Sequence, residues 1–317
     1  MEPKSLDFQA FVKHQQQAFS EIIKKTGTNY LFDETYYKWK YSPPAGDAKI
    51  ALIQDETGIV ATNAMYPLDI IAGSKRIRGW QSCDTATHSR GRGRGYFVQC
   101  ITALTAELGS DDIFFGYPNH TSKPGLVKCG WSHHSDLRTW ARLLPGSKTA
   151  NFRAIEPIQQ FAAEQDVFSR KLARDCAILD RSSIYMNWRY KQHPLHYYET
   201  FGWREKERLL GVIVLRRANI EGKEIAIILE TLALFPHVER GMLSFAASWA
   251  RKQRISYTVA LNNTIKPISG ILSGYVPIPM WMLPKRQILM GFATGTTSAM
   301  AAWSTPWNVQ IGDWDVF

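Results

Sequence analysis

The sequence YYKWKY, in which Tyr36, Trp39 and Tyr41 stand at positions one, four and six, returns 149 residues later as YMNWRY, with Tyr185, Trp188 and Tyr190 in the same places. A second landmark follows each copy: Asn119, Thr121, Lys123 and Pro124 in NHTSKP are matched by Asn262, Thr264, Lys266 and Pro267 in NNTIKP. Each copy then closes on a Gly-aromatic pair, Gly130-Trp131 and Gly274-Tyr275. A tryptophan and a Leu-Pro step come next in both, as Trp140 with Leu144-Pro145 and as Trp281 with Leu283-Pro284. Landmarks in one order at nearly constant spacing point to a duplicated unit. With 317 residues the chain has room for two domains of roughly 150 residues each.

The pattern within each copy predicts a mixed α/β layer architecture. In the first copy Phe8, Phe11, Val12, Phe19 and Ile22 recur at helical spacing over Leu6 to Ile23. Strands are expected over Lys49 to Ile53, Gly58 to Ile71 and Arg76 to Thr87, joined at DETG and AGS turns. FVQCITALTAEL (Phe97 to Leu108) reads as a helix and DIFFGY (Asp112 to Tyr117) as a short buried strand, with another short helix from Ser122 to Cys129. The second copy offers counterparts at Arg208 to Leu215, Ile225 to Leu232, Gly241 to Lys252 and Ile255 to Leu261. The expected organisation is an N-terminal unit over 1–149, a helical connector over 150–180 and a C-terminal unit over 181–317. Gln287 to Gly312 carries no charge but is diluted by Gly, Thr, Ser, Pro, Gln and Asn, so it reads as buried or interfacial irregular structure rather than a membrane span.

Charge narrows the partner. Lys and Arg number 38 against 28 Asp and Glu, a balance of +10, which favours a phosphorylated cofactor, a nucleic acid or an acidic membrane face. Cys83, Cys100, Cys129 and Cys176 are too dispersed for a disulfide framework or a zinc site, and no metal is expected. The first residues have no apolar core of a secretory signal, so a cytoplasmic location is expected.

The string that carries chemistry is THSRGRGRGYF, Thr87 to Phe97, between an expected strand and an expected helix. Glycines there let the backbone approach a ligand, and the first amides of the helix are free to hold phosphate oxygens. Arg90, Arg92 and Arg94 add charge that a diphosphate would pair with. Gly91, Gly93 and Gly95 alternate, unlike a dinucleotide fingerprint, and no Lys-Ser/Thr follows as in a Walker loop. Read alone, the string also fits a solvated basic loop or an RGG-like contact with nucleic acid.

Arg92-Gly93-Arg94-Gly95-Tyr96-Phe97 resembles the hallmark Gln/Arg-x-x-Gly-x-Gly/Ala motif of the GNAT superfamily of CoA-dependent N-acyltransferases, with Phe97 in place of the final small residue. DIFFGY, Asn119, Ser122 and the KCGW ending resemble the segment that follows in that family, so the resemblance covers most of residues 30 to 145. In the second copy HVERGM (His237 to Met242) stands at the place of the glycine motif, with one glycine and an acidic residue. The chain therefore resembles a tandem GNAT protein with one competent and one degenerate site. Among such chains it looks most like sets found with surface-polysaccharide or amino-sugar biosynthesis.

The resemblance implies acetyl-CoA or another acyl-CoA as cosubstrate and a primary amine as acceptor, small or sugar- or nucleotide-linked. It places the pantetheine arm along the backbone of Thr85, Ala86 and Thr87. The pyrophosphate would lie on the amides of Gly93, Arg94, Gly95, Tyr96 and Phe97, with Arg92, and Arg90 as a second candidate, beside the adenosine phosphate. Asn119 and Ser122 would face the pantetheine or the loop, although an Asn after Pro118 equally suits a turn. A base must take the ammonium proton and an acid must protonate the leaving thiolate. Asp84 and His88 flank the strand as bases, with His120, His133 and His134 as alternatives. Leu126 occupies the position of the family's usual Tyr acid, which leaves Tyr117 as substitute. Cys83 reads as a buried small hydrophobe, and the repeated aromatic residues as packing. Two other classes remain: a Fem-like aminoacyl-tRNA-dependent transferase, and a basic nucleic-acid-binding or non-catalytic scaffold.

Overall fold

A computed structural model describes residues 9–17, 33–109, 111–144, 152–220, 222–261, 266–279, 287–295 and 297–314. Helices α1 (9–17) and α2 (Glu34–Lys40) lead into strands β1 (Lys49–Asp55), β2 (Gly58–Ala72) and β3 (Lys75–Thr87). Helix α3 (Tyr96–Glu107), β4 (Ile113–Gly116), α4 (Lys123–Lys128), β5 (Ser132–Leu137) and β6 (Thr139–Leu143) follow. The middle of the chain holds β7 (Ile155–Pro157), α5 (Asp166–Leu172), β8 (Ala177–Leu179) and α6 (Ser183–Tyr190). The second half then runs β9 (Glu199–Glu205), β10 (Arg208–Ile220), β11 (Lys223–Ala233), α7 (Pro236–Lys252), β12 (Tyr257–Leu261), α8 (Pro267–Leu272), β13 (Val276–Pro277), β14 (Gln287–Ala293) and α9 (Thr297–Ser304).

These strands build two mixed sheets. The first has the order β1-β2-β3-β4-β14-β5, with β8 also paired to β2, and the second has the order β13-β6-β12-β11-β10-β9-β7. Each is antiparallel except at one junction, β3 with β4 and β11 with β12, where the strands run parallel across an intervening helix. Matched outward from that junction the two sheets share one connectivity, with a reciprocal exchange. Strand β14, from near the end of the chain, lies between β4 and β5 of the first sheet, and β6, from the first half, lies between β12 and β13 of the second.

Two expectations need correction. The stretch from 150 to 180 is not a helical connector: in its described part only α5 and a short 3₁₀ turn are helical, while β7 joins the second sheet and β8 the first. Ala177, Ile178 and Leu179 are all buried, which suits an apolar run pairing with a central strand. Gln287 to Gly312 is not irregular either, because ILMGFA forms the buried body of β14 and α9 packs after it. Gly291 is what lets β14 approach: a β-carbon there would overlap the Phe114 carbonyl of β4.

The aromatic repeat lies where the halves meet. The Trp39 indole Nε1 donates to the Trp188 carbonyl at 3.0 Å, and the Trp188 Nε1 donates to the Trp39 carbonyl at 3.2 Å. Their rings stack at 4.9 Å with an interplanar angle of 18°. Each residue does to its counterpart what the counterpart does to it, which is the signature of a local two-fold axis. Asn262, Thr264, Trp281, Leu283 and Pro284 of the other repeat landmarks lie outside the described residues.

Replacing either tryptophan by Ala is expected to cost about 3 kcal/mol of stability, since each removes a large packed ring and its indole hydrogen bond. In a double-mutant cycle followed by urea unfolding, Trp39→Ala with Trp188→Ala should cost less than the two single losses together by roughly 1 kcal/mol. Strict additivity would show that the pair does not act as a unit.

Candidate active site

Pairing between β3 and β4 holds at Gly79–Ile113, Trp80–Phe114 and Gln81–Phe115 and goes no further, although β3 continues to Thr87. The strands splay beyond that point and leave a cleft of about 200 Å³. Phe97, Leu126 and Trp131 line it from the side of the sheet covered by α3 and α4, and Tyr36, Lys40, Asp84 and Tyr117 line it from the side of α2. The cleft thus opens the sheet from both faces.

A bulge in β3 aims the second group. Against β2 the register steps from Thr62–Ala86 to Ala64–Cys83, so Asp84 and Thr85 oppose the single residue Asn63. Asp84 sits in the left-handed region at φ 47°, which costs an ordinary residue about 1 kcal/mol. The conformation is held from several sides. The Asp84 carboxylate pairs with Lys40 Nζ at 2.7 Å and accepts from the Tyr41 hydroxyl at 2.8 Å, and its carbonyl accepts from Gln15 Nε2 at 3.1 Å. Asn63 Nδ2 donates to Thr85 Oγ1 at 2.5 Å and to Ser82 Oγ at 3.0 Å. Burial, with the Asp84 charge beside it, pushes the Tyr41 hydroxyl well above its usual range, so Tyr41 stays a donor to that carboxylate.

The glycine string divides its labour. Gly91 is buried in a 3₁₀ turn, and a β-carbon on it would overlap Val60 of β2, so it is needed for packing. Gly93 and Gly95 have φ of 79° and 75° with open space around them, so they are needed for backbone conformation. Gly95 is the N-cap of α3, and no side chain caps that helix and no acidic residue lies in its first turn. The amides of Tyr96, Phe97 and Val98 are those an α-helix leaves without internal carbonyls. Arg92 and Arg94 are exposed around them. Arg90 is turned away: its guanidinium pairs with Asp55 at 2.8 Å and with the carbonyls of Gly58 and Ile59.

Other residues singled out in the sequence fall into three groups. Asp84, Thr85, Phe97, Tyr117, Asn119 and Ser122 all line the cleft. Ala86 and Thr87 continue β3 from there, with Ala86 buried. Asn119 and Ser122 also bind each other: Asn119 Oδ1 accepts from the Thr121 and Ser122 amides at 2.9 Å, while Ser122 Oγ accepts from the Asn119 amide at 3.1 Å. The Asn119 side chain thus makes the turn and also borders the cleft. His88 does not line the cleft, and its Nδ1 accepts from the Arg90 amide, capping its own turn. His120 is exposed, His133 pairs with Asp136, and His134 lies against Trp303, all outside the cleft. Lys40 and Tyr36 were not picked out as site residues. Their places in α2, next to the repeated Trp39, were the available signal.

In the second sheet the same gap is filled. Pairing of β11 with β12 stops at Ile227–Val259, and beyond it the Thr231 amide donates to Gln310 Oε1 of the C-terminal segment at 3.1 Å. Glu230 takes the place of Asp84: the Tyr190 hydroxyl donates to it at 2.5 Å as Tyr41 does to Asp84. Arg181 pairs with Glu230 at 3.0 Å and with Asp313, all three side chains sealed from solvent. At the start of α7, Glu239 is buried and accepts from the Lys266 amide, and Trp203 covers Gly241 so closely that a β-carbon there would overlap its ring.

No family model matches the sequence, and no curated protein sequence matches it significantly. Solved structures do match the fold. A GCN5-related N-acetyltransferase from Anabaena variabilis superimposes with TM-score 0.65 at 13% identity, over 89% of this chain and 70% of that one. A protein of Enterococcus faecalis described as a probable N-acyltransferase gives 0.64 at 10% identity, over 91% and 70%. Saccharomyces cerevisiae N-myristoyltransferase with bound myristoyl-CoA gives 0.62 at 10% identity, over 97% and 84%. The chain has the GNAT fold.

Gly91→Ala should lower stability by about 1–3 kcal/mol through overlap with Val60, whereas Gly93→Ala should cost about 1 kcal/mol for its positive φ. Urea midpoints of the two variants check this order. Burial pushes the Glu230 carboxyl up from its ordinary 4.5 to about 7. A carboxyl held protonated by folding contributes stability that is complete below pH 4.5 and is lost as pH rises through about 7. The Glu230 contribution is read as a difference, because the lowered pKa values of His14, His134, His193 and His196 act with the opposite sign: relative to Glu230→Gln, the Tm of the native sequence should fall as pH rises through about 7.

Proposed function

We propose that the protein is an acyl-CoA-dependent N-acyltransferase built from two GNAT units, the first active and the second closed. The observation that carries this reading is the cleft that opens the first sheet to both faces, with the uncapped start of α3 near one mouth and the Asp84–Lys40 pair near the other. The amides of Tyr96 and Phe97 would bind the carrier's diphosphate, with Arg92 and Arg94 supplying charge. The backbone of Thr85 to Thr87 would hold its pantetheine arm in the splay. The fold neighbours named as N-acetyl-, N-acyl- and N-myristoyltransferases favour this class of reaction.

The acceptor amine would enter from the α2 side and give its proton to Asp84. Its nitrogen attacks the thioester carbon, a C–N bond forms, and collapse of the adduct breaks the C–S bond. The thiolate takes a proton from the Tyr117 hydroxyl, the second proton of the adduct nitrogen passes to the resulting phenolate, and the Asp84 proton leaves to solvent, so both side chains are restored. Direct attack in a ternary complex needs no enzyme nucleophile, so buried Cys83 has no covalent part. The proposed donor is acetyl-CoA or another acyl-CoA, and the proposed acceptor is a primary amine, with a phosphate- or sugar-linked amine suited to the basic chain.

Calorimetric titration with acetyl-CoA and longer acyl-CoAs should show binding that Gly95→Glu weakens by about tenfold or more, since a carboxylate would stand at the helix start. Asp84→Asn should keep that binding and lower turnover on an amine panel by roughly 10²–10⁴. Binding that Gly95→Glu leaves untouched would remove the loop from the site.

A further inference from the structure

Helix α8 is inside out. Its small residues Ser269 and Gly270 are buried, while Ile268, Ile271 and Leu272 are 74%, 63% and 68% exposed. Val276 of the adjoining edge strand β13 is 62% exposed. An amphipathic helix of a water-facing protein turns its aliphatic side chains inward, so this arrangement marks a contact surface. The counterpart helix of the first half, α4, packs Leu126 inward in the ordinary way.

Charge says what kind of surface fits. Between Glu239 and Asp313 the sequence has no acidic residue, yet it carries Arg240, Arg251, Lys252, Arg254, Lys266, Lys285 and Arg286. Arg142 lies across the end of α8, where a β-carbon on Gly274 would stand 3.3 Å from its Nε. Arg142 Nη1, Arg251 Nε and Ser273 Oγ are buried with no hydrogen-bond partner. Burial lowers the Arg142 pKa most, with Tyr275 opposing the shift and the charge of Arg251 adding to it. Guanidinium and hydroxyl groups that lack a protein acceptor suit a phosphate oxygen.

We propose that this face docks on an anionic phospholipid bilayer, with Ile268, Ile271 and Leu272 entering the acyl boundary and Arg142 and Arg251 taking headgroup phosphates. A protein partner would offer carboxylates or an apolar groove, but the aliphatic tips here project from a short helix flanked in sequence by basic and no acidic residues, which matches a bilayer interface better.

The test uses the full chain and flotation with phosphatidylcholine vesicles, with and without phosphatidylglycerol. Binding is expected only on the anionic vesicles and should fall at high salt. Replacing Ile271 and Leu272 together by Ser should lower it about tenfold or more. Arg142→Gln with Arg251→Gln should remove the preference for anionic lipid, whereas Ile271→Ser alone, at an exposed position, should leave thermal stability unchanged. Absence of flotation, equal flotation on both lipids, or a concentration-dependent dimer in ultracentrifugation that the Ile271/Leu272 variant abolishes would each overturn the proposal. The last would assign α8 to a second copy of this chain.

Discussion

The stacked pair of Trp39 and Trp188 is where the two halves of the molecule are tied. Each indole spends its one donor on the other residue's carbonyl, so neither helix α2 nor α6 completes its hydrogen bonding without its counterpart. On one side of this pair Tyr41 reaches Asp84, and on the other Tyr190 reaches Glu230. The tie therefore sets the position of both splayed strands. What differs between the halves is what each does with the gap that follows.

In the first half the gap stays open and ends at an uncapped helix. In the second it is filled by the chain's own groups. Gln310 supplies a carbonyl to Thr231, Arg181 neutralises carboxylates, and Glu239 lies in the first turn of α7. A polar amide of the chain thus takes from the second splayed strand the kind of bond that the proposed pantetheine arm would take from the first. Leaving such a backbone donor buried without an acceptor would be costly, so a gap of this type must be filled by ligand, by water or by protein.

Much of this was legible in the sequence, for identifiable reasons. The long strands β2 and β3 and helix α3 are bounded by Gly-containing turns and have clear apolar patterns, and they fall within a residue or so of expectation. The repeat of Tyr, Trp and Tyr foretold a relation between the halves, but only coordinates show that the tryptophans face each other. The loop motif located the helix start correctly. It could not separate Gly91, needed for clearance from Val60, from Gly93 and Gly95, needed for positive φ. Lys40 was invisible as a site residue because its role depends on a bulge far along the chain at Asp84. Local periodicity does not reach the partners of β8 and β14, which lie more than a hundred residues away, or that of β7, which lies more than forty residues on.

The exchange of β6 and β14 has a consequence for biosynthesis. As the polypeptide leaves the ribosome, the strand that separates β4 from β5 is made about 150 residues after β5 itself. Until then the first half exposes the unpaired edge of the apolar strand β4, Ile113–Gly116, to whatever is nearby. Maturation of both halves is thereby postponed to a single late event, and a nascent fragment that stalls short of β14 is a substrate for chaperones or proteases rather than a half-finished fold.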